Sequence, residues 1–202
     1  MPIRAVIFDL MDVLLLVEDL SWRRAWEADT GVAEGGLARA MFQSPQFREA
    51  ISGHVPESAL WHDVAQTLGV NTEPERLAAI FYSAFRLNYE LVECIRTLRP
   101  RFKTAILTNT PSDMRAVITQ QFHLDRELDT IVISAEEGIR KPQPEIFQRT
   151  LDRLGVQAQE TLFVDDEARY ITAAQTLGMY AVQFKDNTQA IPEIEQLLRQ
   201  QA

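Results

Sequence analysis

Six residues combine reactive chemistry with suggestive placement. Asp9 follows the apolar run Ala5-Val6-Ile7-Phe8, Thr108-Asn109 follows Thr104–Leu107, and Asp165-Asp166 follows Thr161–Val164. Lys141 lies in Gly138-Ile139-Arg140-Lys141-Pro142, in the loop after Thr130–Ile133. A carboxylate of this kind can attack phosphorus, and further carboxylates can hold Mg2+, a hard cation that prefers oxygen ligands. A lysine and a hydroxyl can neutralise and orient phosphoryl oxygens. Each residue alone also has a plain reading. Asp165-Asp166 could cap a helix starting near Ala168, Lys141 could be a solvated loop lysine, and Thr108-Asn109 could be only a turn.

The elements around them predict how they meet. The runs Ala5–Phe8, Thr104–Leu107, Thr130–Ile133, Thr161–Val164 and Tyr180–Phe184 are rich in Val, Ile, Phe and Thr with little polar alternation. That pattern marks strands covered on both faces. Helical periodicity separates them at Ser112–Phe122, Glu145–Leu154 and Ala168–Leu177, with Gly155 and Gly178 where helices should stop. Strand–helix alternation predicts a doubly wound parallel α/β sheet, whose ligands bind at the carboxyl ends of the strands. The six residues all fall on that edge.

One stretch breaks the alternation. From about Glu18 to Phe85 there are amphipathic patterns at Ser21–Ala28, Leu37–Phe42, Pro56–Leu68 and Pro74–Phe85, with turn signals at Gly35-Gly36, Gly53 and Gly69. The expected organisation is a core of residues 1–16 and 86–202 with a helical cap at 17–85. The chain returns through Arg86-Leu87-Asn88 into a core helix, Glu90–Leu98.

Composition narrows the partners. The 202 residues carry a net charge of −9, which repels nucleic acid and anionic membranes but leaves a small phosphorylated metabolite open as substrate. A single cysteine, Cys94, excludes an intramolecular disulfide and fits a cytoplasmic protein. No apolar run is long enough to span a bilayer. Oligomeric state is not legible.

Val6-Ile7-Phe8-Asp9-Leu10, Ala105-Ile106-Leu107-Thr108-Asn109, Arg140-Lys141-Pro142 and Leu162-Phe163-Val164-Asp165-Asp166 resemble, in order, the four motifs of the haloacid dehalogenase superfamily. Ala173 to Met179 matches the tail of the fourth. The resemblance implies a Rossmann-like core with a cap inserted after the first motif. It implies Asp9 as nucleophile and metal ligand, and Thr108 and Lys141 as binders of phosphoryl oxygens. Asn109 would position substrate or loop. Mg2+ would be held by Asp9, the Met11 backbone carbonyl and Asp166, with Asp165 bound directly or through water.

The first motif departs from the family pattern. Phosphatases of the family usually carry a second Asp two residues after the nucleophile, as general acid and base. Here that position is Met11, and Asp12 follows where glycine is common. Three readings stay open: a phosphatase working without that acid, a dehalogenase or phosphonatase, and a protein that binds phosphate and Mg2+ as a sensor. The closest pattern is that of bacterial α-glucose-1-phosphate phosphatases, which carry a small residue at the second Asp and resemble the ending Phe184 to Pro192. That pattern favours hydrolysis of a phosphate ester, with a sugar 1-phosphate as one candidate. The pair Asp165-Asp166 is the metal-binding form of the fourth motif and speaks against dehalogenation, which needs no metal. Asp12 is a substitute acid only if its side chain can turn toward the site.

In the cap, Trp22, Arg23, Arg24 and Trp26 could clamp a sugar phosphate, but cap core for the tryptophans and a solvated face for the arginines is the preferred reading. His54, His62 and His123 lack metal-ligand spacing, and Cys94 reads as packing rather than nucleophile.

Overall fold

The computed structural model describes residues 1–201. Strand β1 (Ala5–Phe8) leads to a three-residue strand, β2 (Leu15–Val17), and then to five helices: α1 (Ser21–Thr30), α2 (Gly36–Gln43), α3 (Pro45–Ile51), α4 (Glu57–Leu68) and α5 (Pro74–Tyr82). Strand β3 (Phe85–Leu87) then pairs antiparallel with β2, Val17 opposite Phe85. The chain therefore enters and leaves the helical segment through one ribbon. This ribbon straddles both expected boundaries, and the last helix stops at Tyr82 because Phe85 already belongs to the ribbon.

The remainder alternates as the apolar runs predict. Helix α6 (Tyr89–Leu98) precedes β4 (Lys103–Thr108), and a helical segment α7 (Met114–Ala116) continues as a π-helical turn over Val117–Gln121. Then come β5 (Thr130–Ile133), a short α8 (Ser134–Glu137), α9 (Pro144–Leu154), β6 (Thr161–Asp165), α10 (Ala168–Thr176), β7 (Tyr180–Gln183) and α11 (Asn187–Gln200). Three helices, α3, α8 and α11, lie outside the sequence expectation. Pro45 opens α3, where a missing N–H costs nothing, and Pro192 sits inside α11, where the apolar face Ala190, Ile194 and Leu198 outweighs one lost hydrogen bond.

Five strands form one parallel sheet in the order β5-β4-β1-β6-β7. Its strands lack polar alternation because both faces are covered. On one face Val6, Phe8, Ile106 and Val164 pack with Ile95 of α6 and Ile194 of α11; on the other Ile7, Leu107 and Phe163 pack with Phe147 of α9 and Ala174 of α10. After β1 the chain winds outward through β4 and β5, then crosses to β6, so the winding reverses between β1 and β6. That crevice is where a ligand site belongs.

Candidate active site

Register sets the centre of the site. Phe8 pairs with Val164, so the next residues, Asp9 and Asp165, stand side by side at the reversal point. The Asp9 N–H donates to Val164 O at 2.8 Å. Oxygens of Asp9, Asp165 and Asp166 all lie within 4.8 Å of one another. Asp9 and Asp165 are buried and Asp166 is half-buried.

Lys141 is fully buried, which overturns the solvated-loop reading. Its Nζ donates to Asp165 Oδ2 at 2.6 Å and stands 2.9 Å from Asp9 Oδ1. The second approach is out of hydrogen-bond line, so Asp9 Oδ1 keeps a charge contact but no hydrogen bond. Burial works against the lysine's charge, yet Asp9 and Asp165 outweigh it and raise its pKa. The ammonium also lies 4.8 Å from the centre of the Tyr170 ring and 5.5 Å from that of Phe163. Asn109 holds this lysine from the backbone: its Oδ1 accepts from Lys141 N–H, and its Nδ2 donates to Lys141 O and to the Tyr170 hydroxyl. Asn109 thus clamps the loop rather than facing open space with both polar atoms. Tyr170, in the first turn of α10 and four residues after Asp166, carries no signal in the sequence.

Three carboxylates face one ammonium here. Burial and the neighbouring Asp9 raise Asp165, and burial, Asp9 and Asp12 lift Asp166 to about 6. Asp165 is engaged twice, by Lys141 and by the Glu167 N–H, whereas the half-buried Asp166 carboxylate meets only its own backbone N–H. The buried Thr108 hydroxyl has no hydrogen-bond partner among the described residues. An excess of hard oxygen donors over cations, with one orphaned hydroxyl beside them, fits a divalent cation and an oxyanion.

The turn after Asp9 shows what replaced glycine. Asp12 has φ 57°, a left-handed conformation, and its N–H donates to Leu15 O. Asp tolerates this region better than most residues, which accounts for a position that otherwise suits glycine. Loss of solvent, then Asp9 and Glu167, raises its pKa. Met11 and Asp12 both line the cavity above Asp9.

That cavity, about 830 Å³, runs from Asp9, Thr108 and Asp166 to the helical segment. Of the helical residues singled out, Arg23 is buried and lines it, with its guanidinium 4.6 Å from the centre of the Phe81 ring. Trp26 is core, Arg24 is solvated beside Glu34, and Trp22 is 70% exposed. The core and surface readings therefore hold for Trp26 and Arg24 and fail for Trp22 and Arg23. His54, His62 and His123 bond locally to Glu49, Ser58 and Thr119, away from the cavity. Burial pushes the Cys94 thiol up to about 11, consistent with a packing role.

The sheet order and the acid–lysine cluster place a candidate site at the sheet's reversal point, and residues 3–178 match the model of the haloacid dehalogenase-like hydrolases. The chain belongs to that family. It is 29% identical to a bifunctional epoxide hydrolase 2 of Sus scrofa over 98% of its own length but only 39% of the pig protein. It is 25% identical to the sesquiterpene phosphatase astK of Aspergillus oryzae, over 96% of each chain. Among solved structures, a HAD-like hydrolase from Porphyromonas gingivalis superposes with a TM-score of 0.81 at 25% identity, covering 98% of this chain and 99% of that one. A HAD enzyme from Bacteroides thetaiotaomicron, solved with magnesium and inorganic phosphate, gives 0.76 at 19% identity, covering 92% and 96%. Among the described residues no helix is long and apolar enough to cross a membrane.

Proposed function

We propose that the protein hydrolyses a small phosphate monoester in a Mg2+-dependent reaction through an aspartyl-phosphate at Asp9. The observation that carries this reading is the Asp9–Lys141–Asp165 cluster with Asp166 alongside, at the reversal point of the sheet. Residues 17–85 serve as a helical cap over a core of 1–16 and 86–202. Asp9, Asp166 and the Met11 carbonyl would hold Mg2+, with Asp165 in reserve directly or through water; the ion would screen the negative charge of nucleophile and phosphate from one another. The Bacteroides enzyme of similar fold was solved with magnesium and inorganic phosphate, which supports a metal and an oxyanion as the ligands to test.

In the first step an Asp9 oxygen forms a bond to phosphorus while the ester P–O bond breaks and the alcohol departs. Lys141 and the Thr108 hydroxyl bind the phosphoryl oxygens as charge shifts among them. In the second step water attacks the same phosphorus, releasing inorganic phosphate and restoring the Asp9 carboxylate. The proton for the alcohol and the base for water lack their usual residue at Met11, and Asp12 is the ionisable group beside it on the cavity wall.

The sequence likeness to α-glucose-1-phosphate phosphatases supports an anomeric phosphate as one substrate, and the terpenoid phosphatase supports a different alcohol. A second reading, phosphate and Mg2+ binding without turnover, rests on Met11, which has no proton to give. A phosphatase screen with and without Mg2+ separates them. Phosphate release that a chelator abolishes supports the enzyme; binding of phosphate with no release from any ester supports the sensor.

A further inference from the structure

The cavity above Asp9 has an aromatic far wall. Phe42, Phe47 and Phe81 meet edge to face, at 5.4 Å for Phe42–Phe47 and 6.2 Å for Phe42–Phe81, and Phe85 and Trp61 join through Phe81 at 5.7 and 5.5 Å. Phe42 nonetheless keeps 60% of its surface exposed. A ring held on a cavity wall by other rings, yet left uncovered by the protein, is apolar surface available to a ligand.

Most polar groups of this wall are satisfied from within, the buried Arg23 Nε being the exception. Trp61 Nε1 and the Tyr82 hydroxyl both donate to Glu57 Oε1, at 2.8 and 2.6 Å. Arg23 Nη2 donates to Phe81 O, and the Ser44 hydroxyl donates to Asp63. The remaining polar side chains here, Gln43 and Arg48, are exposed. A polyhydroxylated leaving group would press most of its hydroxyls against rings, with only the buried Arg23 Nε and the exposed Gln43 and Arg48 left to bond, which costs binding energy. An apolar leaving group would forfeit no hydrogen bonds and gain the burial.

From this wall we infer that the substrate is the phosphate monoester of a bulky apolar alcohol, its phosphate at Asp9 and Thr108 and its carbon skeleton against Phe42, Phe47 and Phe81. The inference rests on the phosphatase reading and adds the leaving group to it. Arg23, spread over Phe81, acts as part of the wall and fixes that ring.

A series of para-alkylphenyl phosphates, from phenyl to para-octylphenyl, tests it with Mg2+ present, because leaving-group acidity stays nearly constant while apolar bulk grows. The expected result is a kcat/KM that climbs roughly two- to fourfold per methylene until the cavity fills, and that exceeds the value for glucose 1-phosphate. Phe42→Ser, at an exposed position that spares the fold, should flatten the climb. A kcat/KM independent of chain length, or glucose 1-phosphate outpacing the octyl ester, overturns the inference while leaving the phosphatase intact. Should no ester turn over, the phosphatase reading fails alone, and calorimetry with methyl- and octylphosphonate still decides the wall. Tighter binding of the octyl compound supports it, and equal binding overturns it.

Discussion

Lys141 Nζ stands 2.9 Å from Asp9 Oδ1 while bonding Asp165 at 2.6 Å, so one buried ammonium ties together the ends of the adjacent strands β1 and β6. Removing it leaves carboxylates facing each other without a cation. Lys141→Met should lower stability by about 3–5 kcal/mol in the absence of Mg2+, and Mg2+ should restore part of the loss. Turnover should fall on the order of 10²–10³-fold even when Mg2+ is saturating. Denaturant melts and steady-state kinetics, each with and without Mg2+, check both. Unchanged stability without Mg2+ would mean that the carboxylates do not need this charge.

Met11 makes a prediction about the leaving group. An alkoxide that receives no proton departs slowly, so esters of acidic alcohols such as aryl and anomeric phosphates should be hydrolysed far faster than primary alkyl esters. General acid help is worth about 10²–10⁴ in rate, which bounds the difference. With a good leaving group the second step limits, and rapid quench should reveal a burst of released alcohol. Met11→Asp should shrink the burst. Equal rates on aryl and alkyl esters with no burst would point to another proton donor, Asp12 being the first to replace.

Glu57 gives the pH dependence. Burial raises its pKa against the pull of Tyr82 and Trp61, and the nearby Asp113 raises it further. A carboxyl whose folded value exceeds its unfolded one favours folding while protonated, and that contribution fades as pH rises through the raised value. Glu57→Gln keeps an acceptor for Trp61 and Tyr82 without the charge. Its Tm at neutral pH should therefore exceed that of the parent, and the parent's loss of Tm above the acidic range should weaken. A lower Tm for the variant at neutral pH would show that the charged form is the stabilising one.

Gly53 sits where the helical segment meets the core. Its φ is 74°, and a Cβ there would lie 2.1 Å from Ala135 O. Beside it, the Ser134 hydroxyl donates to Ile51 O. The left-handed conformation alone costs an L-residue roughly 1–2 kcal/mol, so Gly53→Ala should lower Tm by about 2–8 °C. It should also raise KM, because α3 carries Phe47 on the cavity wall. Calorimetry and kinetics test the two effects, and a variant with parental Tm would show that the backbone at position 53 leaves the left-handed conformation without cost.

The sheet and the edge that carries the candidate site were legible because buried parallel strands write themselves as short β-branched runs, each followed by a polar residue at its carboxyl end. Asp9, Thr108 and Asp165 are examples. The β2–β3 ribbon was not, since Leu15–Val17 and Phe85–Leu87 are three residues each and pair only with one another. Helix α11 was hidden by Pro192, a helix breaker tolerated by tertiary packing. The burial of Lys141 was also invisible: a lysine before proline looks solvated until Asp9, Asp165, Tyr170 and Phe163 are seen around it. Arg23 reads as a surface residue for the same reason, its partner being a ring 58 positions away.

The central claim is that Asp9 is the nucleophile. Rapid acid quench after mixing the protein with Mg2+ and an aryl phosphate, followed by mass spectrometry of the peptide spanning Asp9, tests it most directly. The account predicts one added phosphoryl group on Asp9 that decays with time, and none in Asp9→Asn. Turnover in Asp9→Asn at the parental rate, or a phosphoryl group found on another residue, would contradict it.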